Sequence, residues 1–236
     1  MDQAKNDLKE MYDATAETYD KSYATSTGKY FMLRKIDTAG ILGRFNGHIL
    51  EVGCANGPYS IQLTKMGYKI TGLDLSPKSI EFAKQWAARE GLNTNFVNGD
   101  AEALPFSDNY FDSVISFSAL RYLENPQKAI NEIFRVLKPG GTAVIDFPNA
   151  FSPWFTLIKP MLYKSHIHDH QYRTWQIVEF MHKAGFENIQ TRRILYTPKI
   201  IGSSRILAIF KVFDKIGELP LLNNFASIIM CSGVKH

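Results

Sequence analysis

Between Ile49 and Asp146, short apolar runs alternate with longer stretches in which apolar residues recur every three or four positions. That is the pattern of buried strands interleaved with amphipathic helices. The runs His48–Val52, Tyr68–Leu73, Asn95–Asn98, Tyr110–Ser116 and Thr142–Asp146 predict five strands. Pro58 opens one helix, and Ser76 caps a second with Pro77 at its first position. A third helix spans Asn125–Leu137, and Lys138-Pro139-Gly140-Gly141 stops it. Alternation of this kind predicts βαβ units and a mainly parallel sheet. With right-handed crossovers, such a sheet binds ligands at the carboxyl ends of its strands, at a topological switch point.

The flanks read differently. Residues 1–40 are helical and carry Tyr12, Tyr19, Tyr23 and Tyr30. Residues 147–173 are broken by Pro and His and read as an insertion over the strand ends. Gln176–Ala184 is a helix ended by Gly185, followed by a strand at Asn188–Tyr196. Residues 199–219 are helical, apolar and basic, and Phe225–Val234 is a last strand. The expected organisation is one domain over 1–236: an N-terminal helical extension (1–40), a cofactor-binding core (45–147), a substrate-side insertion (148–173) and the C-terminal part of the sheet (174–236).

Composition narrows the class. Hydrophobic residues at 45% and charged residues at 21% exclude a disordered, collagen-like or coiled-coil chain. Cys54 and Cys231 form no C-x-x-C pair, which excludes a disulfide scaffold or cysteine zinc finger. The N-terminus is polar, and no apolar run approaches the ~18–20 residues that span a bilayer. A cytoplasmic location is expected. The net charge of +4 is unevenly spread: residues 1–150 hold 16 Lys/Arg against 18 Asp/Glu, and residues 151–236 hold 11 against 5. That local excess reads either as attraction to an anionic substrate or membrane surface, or as simple solubility. It is too modest for nucleic-acid binding, and no recognition motif accompanies it.

The chemistry begins at Glu51-Val52-Gly53-Cys54-Ala55-Asn56-Gly57, between a strand and a helix. Glycines there allow a sharp turn and close approach of a ligand to backbone N–H groups. Asp74 ends the second strand about twenty residues on, placed to accept from ribose hydroxyls. A nucleoside-containing cofactor is implied. Dinucleotide enzymes share this logic, but the G-x-G-x-x-G spacing is absent.

Downstream come Asn98-Gly99-Asp100-Ala101-Glu102-Ala103-Leu104-Pro105-Phe106, then Phe111-Asp112-Ser113-Val114-Ile115, then Leu137-Lys138-Pro139-Gly140-Gly141. With these four ordered motifs the chain resembles class I S-adenosylmethionine-dependent methyltransferases, most closely the small-molecule branch of ubiquinone and menaquinone biosynthesis. The resemblance is strong over about residues 45–147, and weaker at Tyr19-Asp20 and over Gln176–Phe186. It implies a Rossmann-like, doubly wound α/β fold with a seven-stranded sheet, mostly parallel with the last strand antiparallel. It implies an enzyme whose cofactor is S-adenosyl-L-methionine. Gly53, Ala55 and Gly57 would then hold the methionine part, with Glu51 supporting the loop from beneath. Asp74 would bind the ribose, Leu75 would pack on adenine, Asp100 would accept from the adenine amino group, and Ala101 would lie beside it. Ser116 and Phe117 would end the fourth strand beside the cofactor, and the helix carrying Tyr19 would fold over it. Ala55 stands where Gly is commoner, and is compatible with the loop where its φ is negative.

The acceptor is less defined. The fourth strand lacks the Asp/Asn-Pro-Pro-aromatic motif of methyltransferases acting on DNA bases or glutamine, so a small-molecule acceptor, anionic or lipophilic, is expected. Arg121-Tyr122 replaces a frequent His-His, so no histidine base carries over; Arg121 reads as a surface residue or as a holder of an anionic acceptor. A base near neutrality would come from His166, His168 or His170. Their alternate spacing also suits metal ligation, but nothing else marks a metal site and none is expected. Residues 199–219 read as a helix covering the sheet or as a basic amphipathic helix touching membrane. Two other readings stay open: a catalytically silent cofactor-binding scaffold or sensor, and an NAD(P)-dependent oxidoreductase. The oligomeric state is not readable.

Overall fold

A computed structural model of the chain describes residues 3–19, 21–162, 169–195, 204–217, 219 and 222–236. His166 and His168 lie outside these residues, as do Asp20, Tyr163, Lys164, Tyr196, Lys199, Ile200 and Ile201. Helices α1 (Gln3–Tyr19), α2 (Lys21–Ala24) and α3 (Ser26–Gly43) precede the sheet. Then follow β1 (His48–Val52), α4 (Pro58–Lys65), β2 (Lys69–Asp74), α5 (Pro77–Arg89), β3 (Asn95–Asn98), β4 (Phe111–Ser116), α6 (Pro126–Val136) and β5 (Leu137–Pro148). A π-helical turn (Trp154–Ile158) leads into α7 (Lys159–Leu162), followed by α8 (Thr174–Ala184), β6 (Glu187–Ile194), α9 (Ser204–Gly217) and β7 (Ile228–Val234).

Among the described residues, seven strands form one sheet in the order β3-β2-β1-β4-β5-β7-β6. β7 runs antiparallel to both β5 and β6, and the other pairings are parallel. The order reverses beside β1, which puts the switch point at the carboxyl ends of β1 and β4. Alternation along the strands builds a core on each face. Leu50, Val114 and Ile145 pack with Ile130, Ile133 and Ile177 of α6 and α8. Ile49, Ile115 and Val144 pack with Phe31 and Ile36 of α3.

Local signals account for the helix starts. The Ser76 hydroxyl accepts from the Ser79 amide at 3.0 Å, and the Asn125 side chain accepts from the Gln127 amide at 3.1 Å. Gly185, at φ 100°, ends α8.

Two boundaries depart from expectation. The expected turn at 138–141 is part of β5, because the Gly140 amide donates to the Lys235 carbonyl at 2.7 Å and the Lys235 amide to the Gly141 carbonyl at 2.9 Å. The end of β7 thus continues the ladder past the glycines. At the other end, β7 starts at Ile228 and not at the expected Phe225, which ends the 3-10 turn Asn223–Phe225. The segment after β5 leaves and returns at one point: the Tyr172 amide donates to Pro148 and the Ala150 amide to Tyr172, each at 2.9 Å.

Candidate functional site

The loop after β1 is drawn against β2. The Gly53 and Cys54 amides both donate to the Leu73 carbonyl, at 2.7 and 3.0 Å. Gly53 has a φ of 77°, and a Cβ there would lie 2.1 Å from that of Ala119, so the loop after β4 closes onto the glycine. Ala55 has a φ of 46°, which corrects the expectation of a negative value. Its amide donates to Asp74 Oδ2 at 2.7 Å, and this bond offsets the ~1–2 kcal/mol that the left-handed conformation costs an L residue.

Asp74 is the hub of the site. Its other oxygen accepts from the Ser76 amide at 2.9 Å, and its carbonyl accepts from the Gly99 amide at 3.0 Å. Burial pushes its carboxyl above the usual range, against the opposing pull of the Ser76 and Ala55 amides. Beside it, Asp100 Oδ1 accepts from the Glu102 amide at 2.9 Å, and Oδ2 accepts from Lys5 Nζ at 2.7 Å.

These loops surround a cavity at the carboxyl ends of the strands. Tyr19, Gly53, Ala55, Asp74, Leu75, Asp100, Ala101 and Phe117 line it. Glu51, Gly57 and Ser116 do not. Glu51 lies behind the loop and accepts from the Ser60 hydroxyl at 2.5 Å; burial pushes its carboxyl up to about 8. Gly57 caps α4, and Ser116 donates to the Val52 carbonyl at 2.9 Å. A carboxylate has about four acceptor positions, and the backbone amides leave part of Asp74's set open for hydroxyl donors on the cavity side. The residues present therefore fit a nucleoside-bearing cofactor.

The roof is α1. The ring centroids of Tyr12 and Tyr19 lie 5.8 Å apart, Tyr12 and Tyr122 6.1 Å, Tyr19 and Tyr23 5.7 Å, and Tyr23 and Tyr59 5.6 Å. Burial pushes the phenols of Tyr12, Tyr19, Tyr23 and Tyr59 well above their ordinary value, so they stay neutral and offer no base.

Arg121 corrects both of its expected roles. It is 7% exposed, so it is no surface residue. Its guanidinium pairs in a two-pronged fashion with Asp169, which also holds Lys159, and it does not line the cavity. His170 is tied to the same turn through its amide, which donates to the Arg121 carbonyl at 3.0 Å; it does not line the cavity. Among the described residues no group of three or more His, Cys, Asp or Glu side chains converges to hold a metal.

Sequence reasoning missed a buried polar cluster below the cavity. Lys35 Nζ lies 2.7 Å from Asp146 Oδ2 and donates to Ser118 Oγ at 2.6 Å. Asp146 Oδ1 accepts from the Ser118 amide at 2.7 Å. The available signal was a lysine set among Met32, Ile36 and Ala39, on the apolar face of α3. The Lys5 tie to Asp100 and Glu102 was likewise not foreseen.

Residues 50–145 match the family model described as a methyltransferase domain. A demethylmenaquinone methyltransferase of Lactococcus lactis subsp. lactis (strain IL1403) is 32% identical over 171 residues, which are 66% of this chain and 68% of that protein. The chain belongs to the class I S-adenosylmethionine-dependent methyltransferases of the ubiquinone/menaquinone type. A rice (Oryza sativa subsp. japonica) relative, 2-methyl-6-phytyl-1,4-hydroquinone methyltransferase 1, chloroplastic, is 31% identical over 148 residues. The aligned part is 62% of this chain but spans only 43% of the rice protein. A Thermotoga maritima crystal structure, described as a methyltransferase and possible histamine N-methyltransferase, superimposes with a TM-score of 0.71. It covers 97% of this chain and all of its own at 18% identity, which speaks for the fold. Membership in the methyltransferase family makes S-adenosylmethionine the cofactor and sets the nicotinamide reading aside.

Proposed function

We propose that this methyltransferase alkylates a lipophilic ring acceptor of the quinol kind. The observation that carries the reading is the apolar part of the cavity's lining. Tyr12, Tyr19, Phe117, Leu120, Tyr122 and Leu123 form it, an aromatic and aliphatic surface that suits a flat apolar ring. Arg121 and Lys159 both turn to Asp169, and neither lines the cavity where an acidic acceptor would need a cation. The names of the rice and Lactococcus relatives, a phytyl hydroquinone methyltransferase and a demethylmenaquinone methyltransferase, point the same way.

S-adenosylmethionine supplies an electrophilic methyl group, and the chain supplies alignment and exclusion of water. Asp74 would hold the ribose hydroxyls, with Leu75 and Ala101 against the adenine and Asp100 near its amino group. Gly53 and Ala55 would face the methionine part. Glu51, Gly57 and Ser116 would act from behind, fixing the loop and the strand ends. The neutral phenols of Tyr12 and Tyr19 would orient a ring oxygen as donors, without taking its proton.

The test incubates the protein with methyl-labelled cofactor and reduced demethylmenaquinone, with phosphoethanolamine as a polar control. Label should pass into the organic phase. Label on the polar amine alone would refute the reading.

A further inference from the structure

We propose that the face built from the segment after β5 and from α9 seats on an anionic lipid surface. The inference rests on the lipophilic-acceptor reading for its purpose, and on separate residues for its evidence. In α9, Asp214 points inward and accepts from the Tyr30 hydroxyl at 2.7 Å, which fixes how the helix is turned. Val212 and Ile216, one helical turn apart, are consequently exposed, and Leu219 beyond them is exposed as well. Lys211 and Lys215 form the adjacent exposed row. An apolar row flanked by a basic row is the arrangement of a helix lying in a membrane interface.

The segment after β5 lies on the same side of the sheet, since Phe155 packs in one cluster with Phe31 and Met32 of α3, the helix to which α9 is tied through Tyr30. Phe155 is buried, whereas Leu157 is 64% exposed and Met161 85% exposed. Asn149 Nδ2 donates to the carbonyls of Asn224 and Ala226, both at 2.8 Å, and the Ser152 and Ser227 hydroxyls lie 3.2 Å apart. Exposed Phe151 and exposed Phe225 therefore sit on abutting segments. Large apolar side chains gathered in this way are unusual on a surface that meets only water.

Charge selects the occupant. Residues 151–236 hold 11 Lys/Arg against 5 Asp/Glu, and of these Lys211 and Lys215 stand exposed beside Val212 and Ile216. Lysines beside exposed apolar side chains complement lipid phosphates above a hydrocarbon layer. The face also leads to the site, since buried Phe155 packs in one cluster with Phe117, which lines the cavity. A lipophilic acceptor would pass from the bilayer along this segment.

Sedimentation of the full chain with vesicles tests the proposal. Phosphatidylcholine vesicles carrying phosphatidylglycerol should pull the protein down, pure phosphatidylcholine far less, and added salt should release it. Met161→Glu and Ile216→Glu should each weaken binding about tenfold or more, and Lys211→Glu with Lys215→Glu should remove the salt-sensitive part. Binding of S-adenosylhomocysteine should stay unchanged in all of them, because none of these side chains lines the cavity. Three results overturn the idea: no sedimentation with anionic vesicles, binding indifferent to these substitutions, or a dimer in solution that the same substitutions dissociate. Vesicle binding needs no acceptor. A protein that binds vesicles but methylates only polar amines therefore refutes the quinol reading alone, and one that methylates quinols in detergent but ignores vesicles refutes this inference alone.

Discussion

Replacing Lys35 by Met asks what holds the turn between β4 and the cavity. The Lys35 side chain is 6% exposed and that of Asp146 0%, with 2.7 Å between the charges. Between them they bind the hydroxyl and the amide of Ser118. Ser118 has a φ of 58°, a conformation that costs an L residue ~1–2 kcal/mol and must be held by its neighbours. Met nearly preserves the length and volume of Lys35 but removes the ammonium, which leaves Asp146 buried without its counter-charge. Breaking one side of such a pair typically costs about 3–5 kcal/mol, a large share of a total stability of about 5–15 kcal/mol.

The urea midpoint at constant slope measures that loss. A second substitution separates charge from packing. In Lys35→Met with Asp146→Asn, the buried charge is gone while the amide oxygen still accepts from Ser118. The double variant should therefore recover roughly 2 kcal/mol or more over the single one. If Lys35→Met loses less than about 1 kcal/mol, or the double variant is no more stable than the single, the pair does not hold the turn and the reasoning fails.

Asp74→Ala should weaken S-adenosylhomocysteine binding about tenfold to a hundredfold by calorimetry, the loss of about 1.5–3 kcal/mol in charged hydrogen bonds; unchanged affinity would take Asp74 out of the site. Ala55→Gly relieves a φ of 46° and should raise stability by up to about 1 kcal/mol, less whatever the freer unfolded chain takes back; a loss of stability would show that the methyl group packs usefully. Glu51 binds its proton more tightly when folded, up to about 8 against an ordinary 4.5, so its stabilising contribution is full below pH 4.5 and fades as the pH rises to 8. Glu51→Gln should flatten the melting temperature between those limits, and an unaltered pH profile would mean that Glu51 ionises normally.

Most of the sheet was legible because each strand–helix unit carries its own signal within a few residues. Ser76-Pro77 and Asn125-Pro126 start their helices by local capping, and Asp74 follows the glycine loop at a fixed interval. What escaped is long-range. The Lys35 bond to Ser118 joins positions 83 apart, and Arg121 meets Asp169 across 48. No window of sequence contains both partners, so Arg121 read alone looked like a surface residue or a ligand holder, and Lys35 drew no reading. The 138–141 stretch failed for the same reason. Its glycines signal a turn locally, while Lys235, nearly a hundred positions later, supplies the ladder bonds that keep it extended.

The roof over the cavity combines both kinds of information. The tyrosines of α1 were visible as a recurring pattern, but what fastens the helix was not. Lys5 holds Asp100, Asp13 accepts from the Ser76 hydroxyl at 2.5 Å, and Asn56 donates to the Ala16 carbonyl. Each tie ends on a different loop of the site: after β3, after β2 and after β1, respectively. Lys5 and Asp100 keep side-chain exposures of 15% and 31%, and half-solvated ion pairs of this sort contribute about 1 kcal/mol or less. The buried strands beneath, by contrast, open only with the whole fold. The ties differ in strength along α1: the Lys5 pair is partly solvated, whereas the Asn56 bond to Ala16 is buried. Because those ties land on the loops that surround the cofactor site, a bound cofactor that stills the loops also firms the seat of the helix above it.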